Sequence, residues 1–181
     1  MAQKVLLDEN KVNIILHRLC CQLIERHQDF SNTILIGIQP RGTLLLSRLL
    51  HILKNTYGIT SLTSGKLDTT FFRDDFRRSA KPLTANTSEI NNPIEGKAVV
   101  FIDDVLYTGR SIRAGLTAID TYGRPNSIEL LVLIDRRFSR HLPIQPDYLG
   151  AQVDTLDNDR VKVVWSQNGK KDVVYLEKNL E

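Results

Sequence analysis

The sequence predicts an α/β domain in which helices flank a central parallel sheet, with a small hood and a C-terminal antiparallel hairpin attached. Three apolar segments do not alternate with polar residues, which is typical of strands buried on both faces of a parallel sheet. These segments are residues 34–38, 99–102 and 128–134. Apolar residues recur at helical spacing after the first two segments. Near the end of the chain, Asn168 and Gly169 separate residues 161–165 from residues 173–176, which is typical of a hairpin.

The length and composition fit one globular domain that spans residues 1–181. The chain is 41% hydrophobic and 25% charged, and its net charge of +3 suits anionic ligands without indicating nucleic-acid binding by itself. No apolar segment is long enough to cross a bilayer and the N-terminus has no signal-peptide pattern, so we expect a cytoplasmic protein without a membrane partner. A bridge between the neighbouring Cys20 and Cys21 would be strained, so they are predicted to be reduced packing residues rather than a redox pair.

The first half of the chain alternates strand and helix patterns and then loses them. In order, the patterns predict a strand at 5–7, a helix N-capped by Asp8 and extending to Arg26, the strand at 34–38, a helix over 43–57 and a strand at 67–72. Residues 79–95 show no apolar periodicity, and we predict a flexible loop over about 73–95. Such a loop is either a lid that excludes water from a reaction or a surface loop with incidental charge.

The stretch that follows residues 99–102 carries the strongest functional signal. Asp103 and Asp104 are predicted to lie where the strand leaves the sheet, the place where ligands of open α/β sheets bind. Residues 108–111 then form a small, hydroxyl-rich turn that begins a helix, and the free amides of a helix start bind anions. Paired carboxylates suit a sugar diol, so the stretch predicts a site for a phosphorylated ribose. The alternative is an ordinary solvated turn.

This stretch resembles the 5-phosphoribosyl diphosphate (PRPP) motif of type I phosphoribosyltransferases. Five segments occur in the order found in the bacterial pyrimidine operon regulator/uracil phosphoribosyltransferase family, namely GIQPRG, TTFFRDDF, VVFIDDVLYTGRSIRAG, YGRPNSIELLVLIDRR and LPIQPDYLG. The resemblance implies the type I phosphoribosyltransferase fold and the conversion of uracil and PRPP to UMP and diphosphate with Mg²⁺. It also implies a homodimer or a higher homo-oligomer, and binding of the pyrimidine mRNA leader when UMP is present.

The resemblance also implies roles for particular residues. Asp103 and Asp104 would hold the ribose hydroxyls, and Asp103 would contact Mg²⁺, which is held mainly by PRPP. The 5-phosphate would lie on the residues of the motif, which are Val105, Leu106, Tyr107, Thr108, Gly109, Arg110 and Ser111. The diphosphate would be approached by Arg41 and Gly42 and covered by Arg73 and Arg77. Uracil would be read, mostly by backbone groups, in a hood at about 135–160, near Ile134, Asp135 and Arg136.

Regulation through RNA is a second hypothesis, from a different functional class. Basic residues that could contact RNA phosphates are Arg18, Arg26 and Arg140, together with Arg136 and Arg137. The sequence departs from the family at His17, Cys21, Gln145 and Ala151, and each lost cation removes a phosphate contact. Two further alternatives stay open: transfer to another base, a purine or orotate, and a nucleotide sensor with weak catalysis.

Overall fold

The computed structural model describes residues 2–73, 86–155, 159–166 and 171–178, and it contains two β-sheets. The elements in chain order are β1 (Ala2–Leu7), α1 (Glu9–His27), β2 (Thr33–Ile38), α2 (Gly42–Asn55), β3 (Thr63–Leu67), β4 (Ala98–Leu106), α3 (Arg110–Ile119), β5 (Ser127–Arg137), β6 (Tyr148–Asp154), β7 (Arg160–Val164) and β8 (Val173–Lys178). The central sheet is parallel, in the order β3-β2-β4-β5-β6, and the small sheet is antiparallel, in the order β1-β8-β7. The predicted α/β class is confirmed.

The core lies on both faces of the central sheet, which explains the unbroken apolar strands. One face packs against α1, α2 and the small sheet, through residues such as Leu23, Leu49 and Trp165, and the other packs against α3 through Phe101 and Ile119. Each of these side chains contributes roughly 1.5–3 kcal/mol on burial. The carboxylate of Asp8 accepts a hydrogen bond from the Lys11 amide at 2.9 Å, as predicted for the N-cap of α1.

The predicted strand at 67–72 is wrong. The strand of this region is β3, which ends at Leu67, and Thr70–Phe72 form a short 3-10 helix. The Asp68 carboxylate accepts hydrogen bonds from the Thr70 amide at 2.8 Å and from its hydroxyl at 2.6 Å, and this local turn ends the strand. β3 is an edge strand with only two buried residues, so its apolar signal is weak.

The segment predicted as the hood, residues 135–160, overlaps the central sheet. It contains the end of β5 and all of β6, and β6 pairs with β5 in parallel as the fifth strand of the central sheet. The antiparallel pairing of β7 with β8 is as predicted, while the turn residues Asn168 and Gly169 lie outside the described part of the chain. The small sheet is completed by β1, from the opposite end of the chain.

Two further sequence predictions concern cysteines and membranes. Cys20 is buried and Cys21 is exposed, and both are free thiols. Burial raises the pKa of Cys20 to about 12, which keeps this thiol protonated. None of the described helices has the length and apolar character needed to cross a membrane.

Candidate active site

The two neighbouring carboxylates of β4 point to opposite faces of the central sheet. β4 does not end before them, because the strand continues to Leu106 and pairs with β5 beyond both residues. Successive side chains of a strand face opposite sides, so Asp103 follows Phe101 toward α3 and Asp104 follows Ile102 toward α2. The expectation that the strand ends at the acidic pair is therefore wrong, and the two carboxylates do not face one shared space.

Asp103 lines a cavity of about 280 Å³ at the carboxyl end of the central sheet. The other lining residues are Arg73, Val105, Leu106, Tyr107, Thr108, Gly109, Arg110, Ser111 and Ile112. All seven residues predicted to bind the 5-phosphate therefore surround one space. Of the two arginines predicted to cover the diphosphate, Arg73 lines the same cavity, whereas Arg77 lies outside the described residues.

The helix α3 begins at the wall of this cavity and presents its first amides there. Its N-cap is Gly109, which has a φ of +88° and no side chain that could cap the helix. An L side chain is strained at this φ, and its Cβ would also lie 3.2 Å from Cδ1 of Ile144. The Arg110 amide also has a long hydrogen bond to the Thr108 hydroxyl, at 3.4 Å. Because the amides at a helix start favour anions, the cavity can hold a phosphate beside the Asp103 carboxylate.

Arg41 contacts Asp104 and does not line the cavity. Its Nε donates to Oδ2 of Asp104 at 2.6 Å, and its NH2 donates to the carbonyl of Val163 in β7 at 2.6 Å. Asp104 is only 3% exposed, so this pair stabilises a buried carboxylate and joins the central sheet to the small sheet. Gly42, the first residue of α2, allows this helix to approach β4 closely, because a Cβ there would lie 2.1 Å from the carbonyl oxygen of Ile102.

The environment of β4 raises the pKa of both carboxyl groups. The pKa of Asp103 is raised to about 8, mainly because burial removes hydration and secondly because the Asp104 carboxylate is close. Burial also raises the pKa of Asp104, and the Arg41 guanidinium opposes this shift. Carboxyl groups with strongly raised pKa values cluster at functional sites, which makes Asp103 a candidate ligand-binding residue.

Arg136 lies beside the cavity, stacked on one of its lining residues. Its guanidinium carbon is 3.9 Å from the centre of the Tyr107 ring, and its Nε donates to the Thr155 hydroxyl at 3.0 Å. Arg136 is 5% exposed, and its buried NH2 has no hydrogen-bond partner. The neighbouring Asp135 pairs with Arg140, while the Ile134 side chain lies wholly in the core and cannot reach a ligand.

The three arginines predicted to bind RNA each have a partner within the fold. Arg18 donates to the backbone carbonyls of Leu149, at 3.1 Å, and Gly150 on the edge strand β6. Arg26 pairs with the buried Glu129, at 2.7 Å, in a cluster with His27 and Tyr148. Arg140 donates to Asp135 and to the carbonyl of Tyr107. Arg18 and Arg26 lie on α1 and Arg140 follows β5, and all three side chains have structural contacts.

Sequence reasoning missed two residues near the cavity. Thr155 holds Arg136, and no local pattern identifies it because its partner comes from another strand. Asp68 bonds both ends of the segment that carries Arg73. The signal for Asp68 was present, since an aspartate side chain often accepts a hydrogen bond from the backbone amide two residues later and so favours a local turn.

Comparison with known proteins identifies the family. Residues 2–166 match the family model described as the phosphoribosyl transferase domain. The chain belongs to the phosphoribosyltransferase family. It is 38% identical to the Bifunctional protein PyrR of Bacillus subtilis, with 99% of each chain covered, and 37% identical to the Pyrimidine operon regulatory protein of Lactococcus lactis, covering 98% of this chain and 99% of that one. The predicted resemblance to this group of phosphoribosyltransferases is confirmed.

Solved structures support the same fold for this phosphoribosyltransferase. The hypoxanthine phosphoribosyl transferase of Trypanosoma cruzi matches with a TM-score of 0.70 at 17% identity, covering 96% of this chain and 91% of that one. An identity this low shows the fold alone. The predicted type I phosphoribosyltransferase fold is therefore confirmed.

Proposed function

We propose that this phosphoribosyltransferase joins uracil to PRPP and releases UMP and diphosphate. The observation that carries the proposal is the cavity in which the Asp103 carboxylate and the uncapped start of α3 meet, because it matches a ribose and its 5-phosphate. The similarity to the Pyrimidine operon regulatory protein of Lactococcus lactis favours a pyrimidine as the base.

The reaction forms a bond from N1 of uracil to the anomeric carbon of the ribose and breaks the bond from that carbon to the diphosphate oxygen. Positive charge develops on the sugar and negative charge on the departing diphosphate. Arg73, which lines the cavity, would stabilise the departing diphosphate. The proton lost from N1 of uracil passes to solvent or to the departing diphosphate. A closed site keeps water from competing as the nucleophile.

The residues of the cavity fit Mg²⁺ that arrives with PRPP. The described residues contain no group of three side chains that could hold a metal, and Asp103 is the carboxylate among the residues that line the cavity. Mg²⁺ is usually held by one or two carboxylates together with substrate phosphates. Bound there, Mg²⁺ would neutralise charge on the departing diphosphate.

The raised pKa of Asp103 predicts a pH-dependent affinity for UMP. At pH 7 this carboxyl is mostly protonated, and it becomes a carboxylate as the pH rises through about 8. Because the ribose diol donates to the ionised form, we expect the Kd for UMP to fall several-fold between pH 7 and pH 8.5. Calorimetric titration measures this change. In Asp103→Asn the affinity should be weaker and should not change over the same range, and an unchanged pH dependence in that variant would contradict the assignment.

The stacking of Arg136 on Tyr107, a residue that lines the cavity, predicts that Arg136 positions the uracil site. Lysine lacks the planar guanidinium that stacks on Tyr107, so Arg136→Lys should raise the KM for uracil by about tenfold or more and leave the KM for PRPP nearly unchanged. The matched control is Arg137→Lys, because Arg137 is the next residue in the chain, is exposed and pairs with Asp154. Equal effects of the two variants on uracil would remove Arg136 from the base site.

Diphosphate release from PRPP with Mg²⁺ tests the proposed function. Uracil, orotate, hypoxanthine, guanine and adenine are compared in parallel. We expect release with uracil at a rate well above that with the other bases. Preference for another base would overturn the substrate assignment, and no release with any base despite tight UMP binding would indicate a nucleotide sensor.

We also propose binding to the pyrimidine mRNA leader, by a homodimer or a higher homo-oligomer of this chain. The names of the relatives support regulation, whereas the internal contacts of Arg18, Arg26 and Arg140 leave fewer free cations for phosphates. A filter-binding titration of the leader, with and without UMP and at two salt concentrations, measures this binding. Salt-sensitive, UMP-dependent binding would support the second role.

A further inference from the structure

The segment that carries Arg73 leaves the central sheet at Asp68 and returns at residues 86–89. We propose that Asp68 is a positioning residue for PRPP binding. It joins the outgoing chain at Thr70 to the returning chain at Asn86 and so directs Arg73 toward the cavity that Asp103 lines. The inference rests on the proposed function for its substrate. It concerns residues 68–73 and 86–89, all of which the structure describes.

Asp68 joins the outgoing and returning parts of the chain through both of its carboxylate oxygens. Oδ1 accepts from the amide and the hydroxyl of Thr70, at 2.8 and 2.6 Å, and Oδ2 accepts from the amide of Asn86. The Asp68 amide in turn donates to the Ser88 hydroxyl at 2.9 Å. Four hydrogen bonds therefore converge on one residue that is only 8% exposed.

A second contact ties the returning chain to the turn before α2. The side-chain Nε2 of Gln39 donates to the carbonyl of Thr87 at 2.9 Å, and the Gln39 amide donates to the carbonyl of Leu67 at 2.9 Å. Gln39 lies two residues before Arg41, in the turn predicted to approach the diphosphate. Both sides of the base of the segment are thus joined to the part of the protein that would bind PRPP.

The contacts of Asp68 set the direction in which the chain continues. Its bond to Thr70 fixes the start of the 3-10 helix Thr70–Phe72, and Arg73 follows that helix directly. Arg73 lines the cavity beside Asp103, and the two lie close enough for the Arg73 charge to lower the pKa of Asp103. A shift in this short helix would therefore move the Arg73 guanidinium relative to the phosphates of PRPP.

A carboxylate is required at this position because all its side-chain partners are donors. In Asp68→Asn one of the two oxygens becomes an NH2 group, which cannot accept from Asn86 or Thr70. The isosteric change keeps the volume of the side chain, so it removes hydrogen bonds to this residue without creating a cavity. The donor that faces the new NH2 group, either Thr70 or Asn86, is left without an acceptor.

The test compares Asp68→Asn with the matched control Glu89→Gln. Glu89 lies on the returning chain and pairs with Lys66 at 2.9 Å on the surface, with no contact to the Asp68 carboxylate. We expect Asp68→Asn to weaken the binding of Mg²⁺·PRPP, measured without any base, by about tenfold or more, and to lower kcat/KM for PRPP by on the order of 100-fold. The Kd for UMP, which has no diphosphate, should rise less than the Kd for PRPP in Asp68→Asn and should change by less than about twofold in Glu89→Gln.

A double variant tests whether Asp68 acts through Arg73. In the Arg73→Ala background the further change Asp68→Asn should cost little PRPP affinity, because the group it positions is already absent. The proposal would be overturned if the losses of PRPP affinity in the two single variants were fully additive. It would also be overturned if Asp68→Asn lost as much affinity for UMP as for PRPP, or if Glu89→Gln lost as much PRPP affinity as Asp68→Asn. Failure of uracil as substrate would overturn only the proposed function, because PRPP binding is measured without the base.

Discussion

Replacing Arg41 with alanine is expected to lower turnover by on the order of 100-fold or more. Arg41 is the partner of the buried Asp104 and also bonds the carbonyl of Val163 in the small sheet. Without Arg41, the strongest interaction that opposes the effect of burial is lost, and the pKa of Asp104 rises further. The active-site end of β4 then loses both the guanidinium charge and its link to the small sheet. Initial rates of diphosphate release measure the loss.

Stability measurements separate this effect from unfolding. Arg48→Ala is the matched control. Arg48 lies on α2, which Arg41 directly precedes, and like Arg41 it bonds a carboxylate, that of Asp172, and a backbone carbonyl, that of Ser166. Both variants should lose roughly 1–3 kcal/mol of unfolding free energy, which corresponds to several degrees in Tm. Only Arg41→Ala should lose turnover per folded molecule. Unchanged turnover in Arg41→Ala would remove this residue from the mechanism.

The second large effect is expected from Gly42→Ala. The added Cβ would lie 2.1 Å from the carbonyl oxygen of Ile102 and 3.1 Å from the Cα of Asp103, so α2 must move away from β4. Overpacking usually costs about 1–3 kcal/mol, and a collision with backbone belongs at or above the upper end of that range. We expect a marked loss of thermal stability together with weaker binding of PRPP, because the collision lies at the active-site end of β4.

A second glycine provides the control for this prediction. A Cβ at Gly115 in α3 would have ordinary contacts, with its nearest neighbours, Cδ1 of Ile38 and Cε2 of Phe101, at 3.4 Å. Gly115→Ala should therefore leave the Tm unchanged or raise it, since alanine favours helix over glycine. If Gly42→Ala kept the wild-type Tm and PRPP affinity, the close approach of α2 to β4 would be contradicted.

Much of the fold was predictable because its signals are local. The strands β2, β4 and β5 are buried on both faces, so their apolar residues form continuous segments in the sequence. The turn at residues 108–111 combines glycine, hydroxyl groups and a following helix within a few positions, and all its residues line one cavity. Edge strands were harder to predict, because β3 and β6 are only partly buried and their apolar pattern is interrupted.

The sequence by itself determined the alternation of strands and helices, the family, and the position of the phosphate-binding turn, since each depends on residues close together in the chain. The tertiary structure alone decided which side chains meet. Asp103 and Asp104 are neighbours in sequence, yet strand geometry turns them to opposite faces. Asp104 instead meets Arg41, 63 positions away, and Asp68 meets Asn86, 18 positions away. Such contacts arise when distant elements pack together, and no local pattern encodes them.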